Sequence, residues 1–542
     1  MQLLSIITKV LDNQYTWNLA VLVLAAALLF LTIKVSKDKF PIKYYWVFLF
    51  IYLFLIRSYD FFQLWTVNQD EEQWLICARS MAHEPLTWYR HFMIFDYTRF
   101  FTIFPLAIIV LITQAAGYAQ ARIMQILLTF IFIRLSYSAA ARWFDKSVAL
   151  IMTAMFAVFA GMSRNADMVA YNSELFASVL FILFVWQIKK AIDTSSFTKG
   201  FFIAGIFLGL MPFAKEQAVL IAFFAGLAAV SILVLRKEIK SALYLAGGGI
   251  AGFLIVFVPV LVQNGFEKIS TLFQIALEYS DQGLDNVVHS ENPYAADVFL
   301  KSFFLNKEYL PFTILLIAAL VFLVLNIKSL TKNQKLFQLV LWAGFLAAIY
   351  SIYKPGNNFF HYSLLLWPFL FLSGCMAIHH AGVLKKFIWI APMLVLLTQV
   401  HDLRFRQLYP LHKLFAEKGF GLDEVQQVIN DNSAENDRIL VWGWSNKYYV
   451  VPGRERGGGY LYPKFAIGNY SGKDFALQVY VNDLKRFQPK IILEAIGEDQ
   501  FDFKDYSTQS ISAASPELKA ELENHYSLIY NSGSYHVYSR SN

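Results

Sequence analysis

Charged residues and cysteines are both scarce in this sequence. Only 16% of its 542 residues are Asp, Glu, Lys or Arg, whereas 57% are hydrophobic, and this balance excludes an ordinary soluble domain. The two cysteines, Cys77 and Cys375, lie far apart and in different contexts, so a disulfide framework is not expected. We therefore predict a polytopic membrane protein without structural disulfides.

Several motifs of soluble enzymes and processed proteins are also missing. The run Gly457-Gly458-Gly459 lacks the spacing and the following Lys-Ser/Thr of a phosphate-binding loop, so we interpret it as a turn. Histidines are scattered, and the adjacent His379 and His380 would give poor metal geometry. No structural zinc or cofactor is expected, although a divalent metal stays open. The first apolar run has no basic segment or small-residue cleavage site before it, which predicts an uncleaved membrane segment.

Lysines and arginines are concentrated in short loops between the apolar runs, and they set the predicted topology. The net charge of +7 follows from the positive-inside rule, so no nucleic-acid partner is needed to explain it. About twelve crossings are predicted, with both termini outside the cytoplasm. The predicted spans lie near residues 17–33, 44–56, 147–162, 175–188, 201–213, 218–235, 243–262, 310–327, 337–353, 362–377 and 387–398, with one more between 57 and 146.

Two apolar runs, at 100–113 and 123–135, lie between residues 57 and 146. The alternation of inner and outer loops requires an odd number of membrane crossings in this region. One of them is therefore predicted not to cross the membrane. Arg99, Pro105 and the flanking aromatic residues favour the first run as an interfacial or re-entrant helix, with its polar groups at the water boundary.

The composition changes to that of a soluble protein near residue 401. We predict a transmembrane domain over 1–400, with outer loops at 58–99 and 264–308, and a small α/β domain outside the cytoplasm over 401–542. Apolar residues at helical spacing follow residue 422, short buried strands are predicted at 438–442 and 490–493, and alternation marks 526–540.

A polar cluster, residues 68–74, follows the opening pair of apolar helices and contains Asp70 and Glu71. Adjacent residues of a helix point about 100° apart, so these two acids cannot face one substrate atom as a carboxylate pair. One of them can act as a general base that takes a proton from an acceptor hydroxyl. The alternative interpretation is an ordinary solvated loop acid.

Lys215 and Glu216 follow Pro212 and have apolar runs on both sides. Ionisable groups near membrane depth usually face a cavity and find a partner. Glu216 points away from Lys215 on a helix, so we predict that an anionic lipid phosphate compensates the lysine, which can hold it as a point charge. The alternative is that Lys215 snorkels to the interface.

Further polar residues occur at the predicted outer loop mouths. Taken singly, each of them is typical of an ordinary interfacial side chain. The predicted topology, however, places all of them at the same leaflet of the membrane. They are Arg79, Arg90, His91, Asp96, Asn165, Asp167, Asn172, Glu174, Asn357, Asn358, His361 and Tyr362.

Four segments in this order and sidedness give the chain a resemblance to a known family. They are the Asp70-Glu71 pair, the stretch Gly209-Leu210-Met211-Pro212-Phe213-Ala214-Lys215-Glu216, the stretch Phe359-Phe360-His361-Tyr362 with Pro368, and Val441-Trp442-Gly443-Trp444. Together they resemble the GT-C superfamily of membrane glycosyltransferases. The match is closest to bacterial relatives of protein O-mannosyltransferases and of aminoarabinose transferases, and it covers most of the chain. The chain departs from the pattern in an extra N-terminal span and an additional acid, Glu72.

The resemblance implies an all-α polytopic bundle with a small C-terminal α/β domain. It also implies inverting transfer of a hexose or pentose from a polyprenyl-phosphate carrier to a lipid, glycan or protein acceptor at the outer face of the cytoplasmic membrane. Asp70 matches the family's catalytic base in the first outer loop. A flippase, polymerase or ligase of lipid-linked glycans and a solute transporter are the alternatives; a transporter would place its ionisable residues near the midplane.

Overall fold

The computed structural model describes residues 13–62, 68–84, 99–163, 165–194, 197–282, 296–355, 359–381, 390–403, 422–458, 463–498, 500 and 503–541. The chain divides into two compact units. The bundle unit consists of Met1–Asp60, Ile123–Phe257 and Asn286–His412, and the mixed unit consists of Phe61–Arg122, Val258–Asp285 and Lys413–Asn542. The predicted division into domains at residues 400 and 401 stays a prediction.

Sixteen helices are described before residue 404. They are α1 (Gln14–Ser36), α2 (Ile42–Arg57), α3 (Gln69–His83), α4 (Phe100–Thr113), α5 (Tyr118–Trp143), α6 (Lys146–Met162), α7 (Ser173–Asp193), α8 (Phe197–Leu210), α9 (Ala218–Leu235), α10 (Ile239–Asn264), α11 (Phe266–Gln282), α12 (Ala296–Phe303), α13 (Leu310–Asn326), α14 (Lys332–Tyr353), α15 (Trp367–His380) and α16 (Ile390–Leu403). Four 3-10 turns lie among them: Ser58–Phe62, Ala166–Met168, Met211–Phe213 and Phe360–Leu366.

The apolar composition of these helices confirms a multi-pass membrane protein. Within the described part of the chain, seven helical segments have at least 18 residues and are apolar enough to cross a membrane, namely α1, α5, α7, α9, α10, α14 and the segment Phe360–His380. Eighteen helical residues are about 27 Å long, close to the thickness of the hydrocarbon core. Shorter apolar helices add to these, and the predicted count of twelve crossings stays a prediction.

Helix α4 occupies the run for which an interfacial or re-entrant position is predicted. Its 14 residues are about 21 Å long, which is shorter than a 30 Å hydrocarbon core. One face, with Ile103 and Leu106, is buried, while Leu111 and Ile112 are exposed. The structure thus gives α4 an apolar outer surface, and its position in the membrane stays a prediction.

Helices α8 and α10 approach each other through glycines. A Cβ atom on Gly209 would lie 2.0 Å from the carbonyl oxygen of Gly249. Likewise, a Cβ atom on Gly248 would lie 2.0 Å from the carbonyl oxygen of Phe202. Because only glycine allows the two backbones to come so close, this packing fixes α8 and the turn that follows it. The sequence spacing of small residues is typical of membrane helix pairs.

The C-terminal part of the mixed unit is a small α/β fold, as predicted. Its helices are α17 (Glu424–Asn432), α18 (Lys447–Val450), α19 (Lys464–Ile467), α20 (Lys473–Phe487), α21 (Tyr506–Gln509), α22 (Ile511–Ala514) and α23 (Pro516–His525). Its strands are β1 (Arg438–Trp442), β2 (Glu455–Arg456), β3 (Ile491–Ala495), β4 (Tyr526–Asn531) and β5 (Tyr535–Arg540). They form one sheet in the order β2-β1-β3-β5-β4.

Strand directions in this sheet follow from the connections. Strand β1 pairs in parallel with β2 and β3, whereas β5 is antiparallel to both β3 and β4. The apolar runs of β1 and β3 are buried because they form the centre of the sheet. The predicted strand at 438–442 is confirmed. The one predicted at 490–493 begins one residue later and extends to Ala495, and the alternating segment 526–540 is a hairpin.

Candidate functional site

Two clusters of buried and half-buried polar side chains contain most of the predicted site residues that the structure describes. The acid cluster, in the mixed unit, consists of Asp70, Glu71, Glu72, Tyr118 and Arg122. The lysine cluster, in the bundle unit, consists of Asp167, Glu174, Lys215, His361 and Tyr362.

The acid cluster is built on the first turn of α3. Asn68 caps the helix, and its side-chain oxygen accepts a hydrogen bond from the backbone N–H of Asp70 at 2.9 Å. Three acids follow in the first turn, where the positive end of the helix dipole favours carboxylates. Asp70 is half-buried, whereas Glu71 and Glu72 are buried.

Helix α5 supplies the groups that hold the two buried acids. Nη2 of Arg122 lies 3.2 Å from Oε2 of Glu71, and neither side chain has any exposed surface. The Tyr118 hydroxyl donates a hydrogen bond of 2.6 Å to Oε1 of Glu72. Tyr118 and Arg122 are four residues apart on one face of α5, and the guanidinium lies 4.7 Å from the tyrosine ring centre.

These contacts distinguish the three acids. Glu71 is fully buried and already paired with the Arg122 guanidinium. Asp70 is the one acid of the three that is half-buried and not fully buried. The geometry therefore favours Asp70 over Glu71 as the acid that meets a substrate, and the catalytic role of either residue stays a prediction.

Lys215 and Glu174 form the centre of the lysine cluster. Nζ of Lys215 lies 2.7 Å from Oε1 of Glu174, and the two residues are 3% and 0% exposed. The Lys215 ammonium also lies 5.4 Å from the ring centre of Tyr362. This places a buried cation between a carboxylate and an aromatic face.

His361 and Asp167 extend the lysine cluster. Nδ1 of His361 is 3.2 Å from Oδ2 of Asp167, and the backbone N–H of His361 donates to the same oxygen at 3.1 Å. Nε2 of His361 lies 4.0 Å from Oε1 of Glu174. The imidazole is therefore held between two carboxylates.

Irregular backbone positions most of this cluster. Asp167 lies in the 3-10 turn Ala166–Met168, His361 in the turn Phe360–Leu366, and Lys215 just after the turn Met211–Phe213. Glu174 belongs to the first turn of α7. The helices end at these turns, so their polar groups can face one another without interrupting a span.

The structure corrects one step of the sequence argument. The sequence predicts that Lys215 needs an external anion, because Glu216 does not fully neutralise it. Glu174, distant in sequence, supplies a carboxylate at 2.7 Å, while Glu216 is half-buried in the turn before α9. The cost of burying the lysine is therefore met within the protein, and phosphate binding by Lys215 stays a prediction.

The other predicted residues lie beside or outside these clusters. Asn165 and Asn172 both contact Asp167: Oδ1 of Asn165 accepts a hydrogen bond from the Asp167 backbone N–H at 2.9 Å, and Nδ2 of Asn172 donates one to the Asp167 carbonyl at 2.5 Å. Arg79 lies near the end of α3, with Nε 3.8 Å from Oε2 of Glu455. The structure does not describe Arg90, His91, Asp96, Asn357 or Asn358. Sequence reasoning missed Tyr118 and Arg122; an arginine inside a long apolar run was the available signal.

Among the described residues, no group of three or more His, Cys, Asp or Glu side chains has an arrangement that could hold a metal ion. The adjacent histidines have other neighbours. Nδ1 of His379 lies 3.1 Å from Asp145, and His380 stacks on Phe322 with 3.6 Å between ring centres.

Comparison with known proteins identifies the fold. The sequence matches no family model and no curated protein. The structure is similar to that of ArnT from Cupriavidus metallidurans bound to undecaprenyl phosphate, with 12% identity, a TM-score of 0.55, and coverage of 91% of this chain and 98% of that chain. The apo form of the same protein gives 13% identity, a TM-score of 0.52, and coverage of 92% and 98%.

The archaeal oligosaccharyltransferase AglB from Archaeoglobus fulgidus, in complex with an inhibitory peptide and a dolichol-phosphate, gives 11% identity, a TM-score of 0.49, and coverage of 92% of this chain and 74% of that chain. The likeness to ArnT extends over almost the whole of both chains. It confirms the GT-C fold that the sequence resemblance predicted.

Proposed function

We propose that this protein transfers a sugar from a polyprenyl-phosphate carrier to an acceptor hydroxyl at the outer face of the cytoplasmic membrane. The observation that carries the proposal is the half-buried Asp70, which lies in the first turn of α3 next to the ion-paired Glu71, in a chain with the fold of ArnT. The ArnT structure itself contains undecaprenyl phosphate.

In the proposed reaction, Asp70 accepts the proton of the acceptor hydroxyl. The hydroxyl oxygen forms a bond to the anomeric carbon of the sugar, and the bond from that carbon to the phosphate oxygen breaks. The electron pair leaves with the polyprenyl phosphate. A single displacement inverts the anomeric centre. General-base catalysis of this kind contributes about 10²–10⁴-fold in rate.

The leaving phosphate requires a cation, and Lys215 is the proposed one. A lysine ammonium binds phosphate as a compact point charge. Glu174 holds this ammonium in place at 2.7 Å, so the donor phosphate meets a positioned cation. Stabilising negative charge in a site with little water is often the largest contribution to catalysis.

The proposed acceptor is a lipid, a glycan or a protein, and membrane lipids surround the apolar helices. The C-terminal α/β fold is proposed to lie outside the cytoplasm because the lysine-rich loops are placed inside. The scheme uses no nucleotide or other cofactor, and a divalent metal stays open.

Lipid extracts from host cells test the proposal. Cells that lack the protein should accumulate one polyprenyl-phosphate-linked sugar, and a plasmid with the wild-type gene should clear it. Asp70→Asn should not clear it, whereas the matched control Asp431→Asn, an exposed acid of α17, should. Accumulation of the same lipid only in the inner leaflet would instead favour a flippase, and no change in any lipid-linked sugar would contradict the proposal.

A further inference from the structure

The last turn of α3 is attached to the edge of the C-terminal sheet. Five residues make this attachment, which we call the helix clamp: Ser80, His83 and Glu84 at the end of α3, Arg438 on β1 and Glu455 on β2. All five belong to the mixed unit. Neither the acid cluster nor the lysine cluster includes them.

Glu455 is the centre of the clamp. The Ser80 hydroxyl donates a hydrogen bond of 2.6 Å to Oε1 of Glu455, and Nδ1 of His83 lies 2.9 Å from Oε2. Ser80 and His83 are three residues apart and therefore share one face of the helix. Both oxygens of one carboxylate thus bind the same face of α3.

Arg438 makes a second attachment next to the first. Its Nη2 lies 3.0 Å from Oε1 of Glu84, the residue that follows α3. Arg438 and Glu455 are directly opposite each other in the register of β1 and β2. Two opposite charges on neighbouring strands therefore hold two adjacent points of α3, which fixes both its rotation and its position along its axis.

The groups around Glu455 favour its ionised carboxylate. Burial alone would raise the pKa of Glu455, but hydrogen bonds from His83 and Ser80 and the nearby charge of Arg456 outweigh burial and lower it. A carboxylate near the carboxyl end of a helix is opposed by the helix dipole. The side-chain donors of α3, with Arg79 3.8 Å away, hold it there as an anion.

The arrangement of these groups is unsuited to nucleophilic catalysis. In a serine hydrolase the serine hydroxyl donates to histidine, and the carboxylate binds the opposite nitrogen of that ring. Here the Ser80 hydroxyl donates directly to Glu455, so the carboxylate lies between serine and histidine. The clamp is therefore built to hold a helix.

We propose that Glu455 is a positioning residue for sugar transfer. It acts through α3, whose last turn it holds and whose first turn carries Asp70. A 15-residue helix transmits a rotation of its last turn to its first, and a misplacement of about 1 Å in a catalytic group can cost about 10²-fold in rate. This inference rests on the proposed function, because it assigns Asp70 to that reaction.

Hydrogen exchange and kinetics on the full-length protein in lipid vesicles test the inference together. Glu455→Gln keeps the size of the side chain and removes its charge. We expect faster amide exchange in α3, unchanged exchange in α7 and α9, and a kcat lowered about 10-fold or more with the donor KM unchanged. The matched control is Glu523→Gln, an exposed acid of α23, which should behave as wild type.

A charge exchange provides the rescue. Glu84→Arg and Arg438→Glu should each lower kcat, and the double variant should recover most of it with wild-type exchange in α3. If amide exchange in α3 were equally fast in Glu455→Gln and in the control Glu523→Gln, the inference would be overturned, whatever the kcat of the two variants. A wild-type protein that transfers no sugar would overturn the proposed function first, and the exchange data would show separately whether Glu455 holds α3.

Discussion

Lys215 and Glu174 form an ion pair of 2.7 Å in which both side chains are buried. Removing one partner of such a pair leaves an uncompensated charge, which typically costs about 3–5 kcal/mol. Lys215→Met should therefore destabilise the protein, whereas Lys215→Met with Glu174→Leu should regain much of the lost thermal stability. The double variant should remain inserted in the membrane, but its rate should still not saturate with increasing donor concentration.

Thermal unfolding in detergent and the dependence of rate on donor concentration measure these effects. Lys328→Met, in the turn after α13, is a control for the loss of one lysine. A double variant that is folded and has the wild-type donor KM would contradict phosphate binding by Lys215. It would favour the interpretation of this pair as a structural contact only.

Asp70 and Glu71 should give different results when each carboxylate is replaced by its amide. Asp70→Asn should lower kcat by about 10²–10⁴-fold with little change in melting temperature, because its carboxylate is half-buried and its loss removes the base. Glu71→Gln should mainly lower the melting temperature, because it leaves Arg122 buried without its ion-pair partner.

The comparison is made on purified protein with the same donor and acceptor. If Glu71→Gln lost turnover at full stability while Asp70→Asn kept it, the two assignments would have to be exchanged.

Glycines of the α8–α10 contact should not tolerate a methyl group. Gly209→Ala would place Cβ 2.0 Å from the carbonyl oxygen of Gly249, so the backbones must separate. We expect a lower melting temperature and weaker activity, since α8 leads into the turn before Lys215. Gly247→Ala, where no atom lies within 4 Å of the added Cβ, is the matched control. Equal stability of the two variants would show that the helices are not in close contact.

The lowered pKa of Glu455 predicts a dependence of α3 on pH. The folded value lies below the usual one, so the ionised contacts stabilise the clamp at pH values above the unfolded pKa of about 4.3 and are lost as the pH falls through the folded value. Arg79, His83, Tyr449 and Arg456 are charged or titratable groups that interact with this carboxylate.

Hydrogen exchange in α3, corrected for the intrinsic rate, should accordingly differ between wild type and Glu455→Gln at about pH 6, and the difference should disappear at a pH below the folded pKa of Glu455, which is lower than the usual value. A difference that is the same at both pH values would show that the charge of Glu455 does not hold the helix.

The sequence predicted the membrane bundle, the C-terminal sheet and the polar loop mouths because these depend on composition and periodicity. The buried pairs were harder to predict. Glu174 and Lys215 are separated by a complete helix and part of another, so no local pattern joins them. Arg122 lies within an apolar run and its partner Glu71 within a polar one, and only tertiary packing brings the two together. Strand β2 has two residues, too few for a pattern of alternation.

The most direct test of the central claim is a balance of products in reconstituted vesicles. Wild-type protein is incubated with the polyprenyl-phosphate-linked sugar that accumulates in cells lacking it and with an acceptor extract from the same host. Free polyprenyl phosphate and glycosylated acceptor are then measured together. We expect equal amounts of both, with the anomeric configuration inverted in the product and with neither formed by Asp70→Asn. Movement of the intact lipid-linked sugar across the vesicle membrane, without release of polyprenyl phosphate, would contradict it.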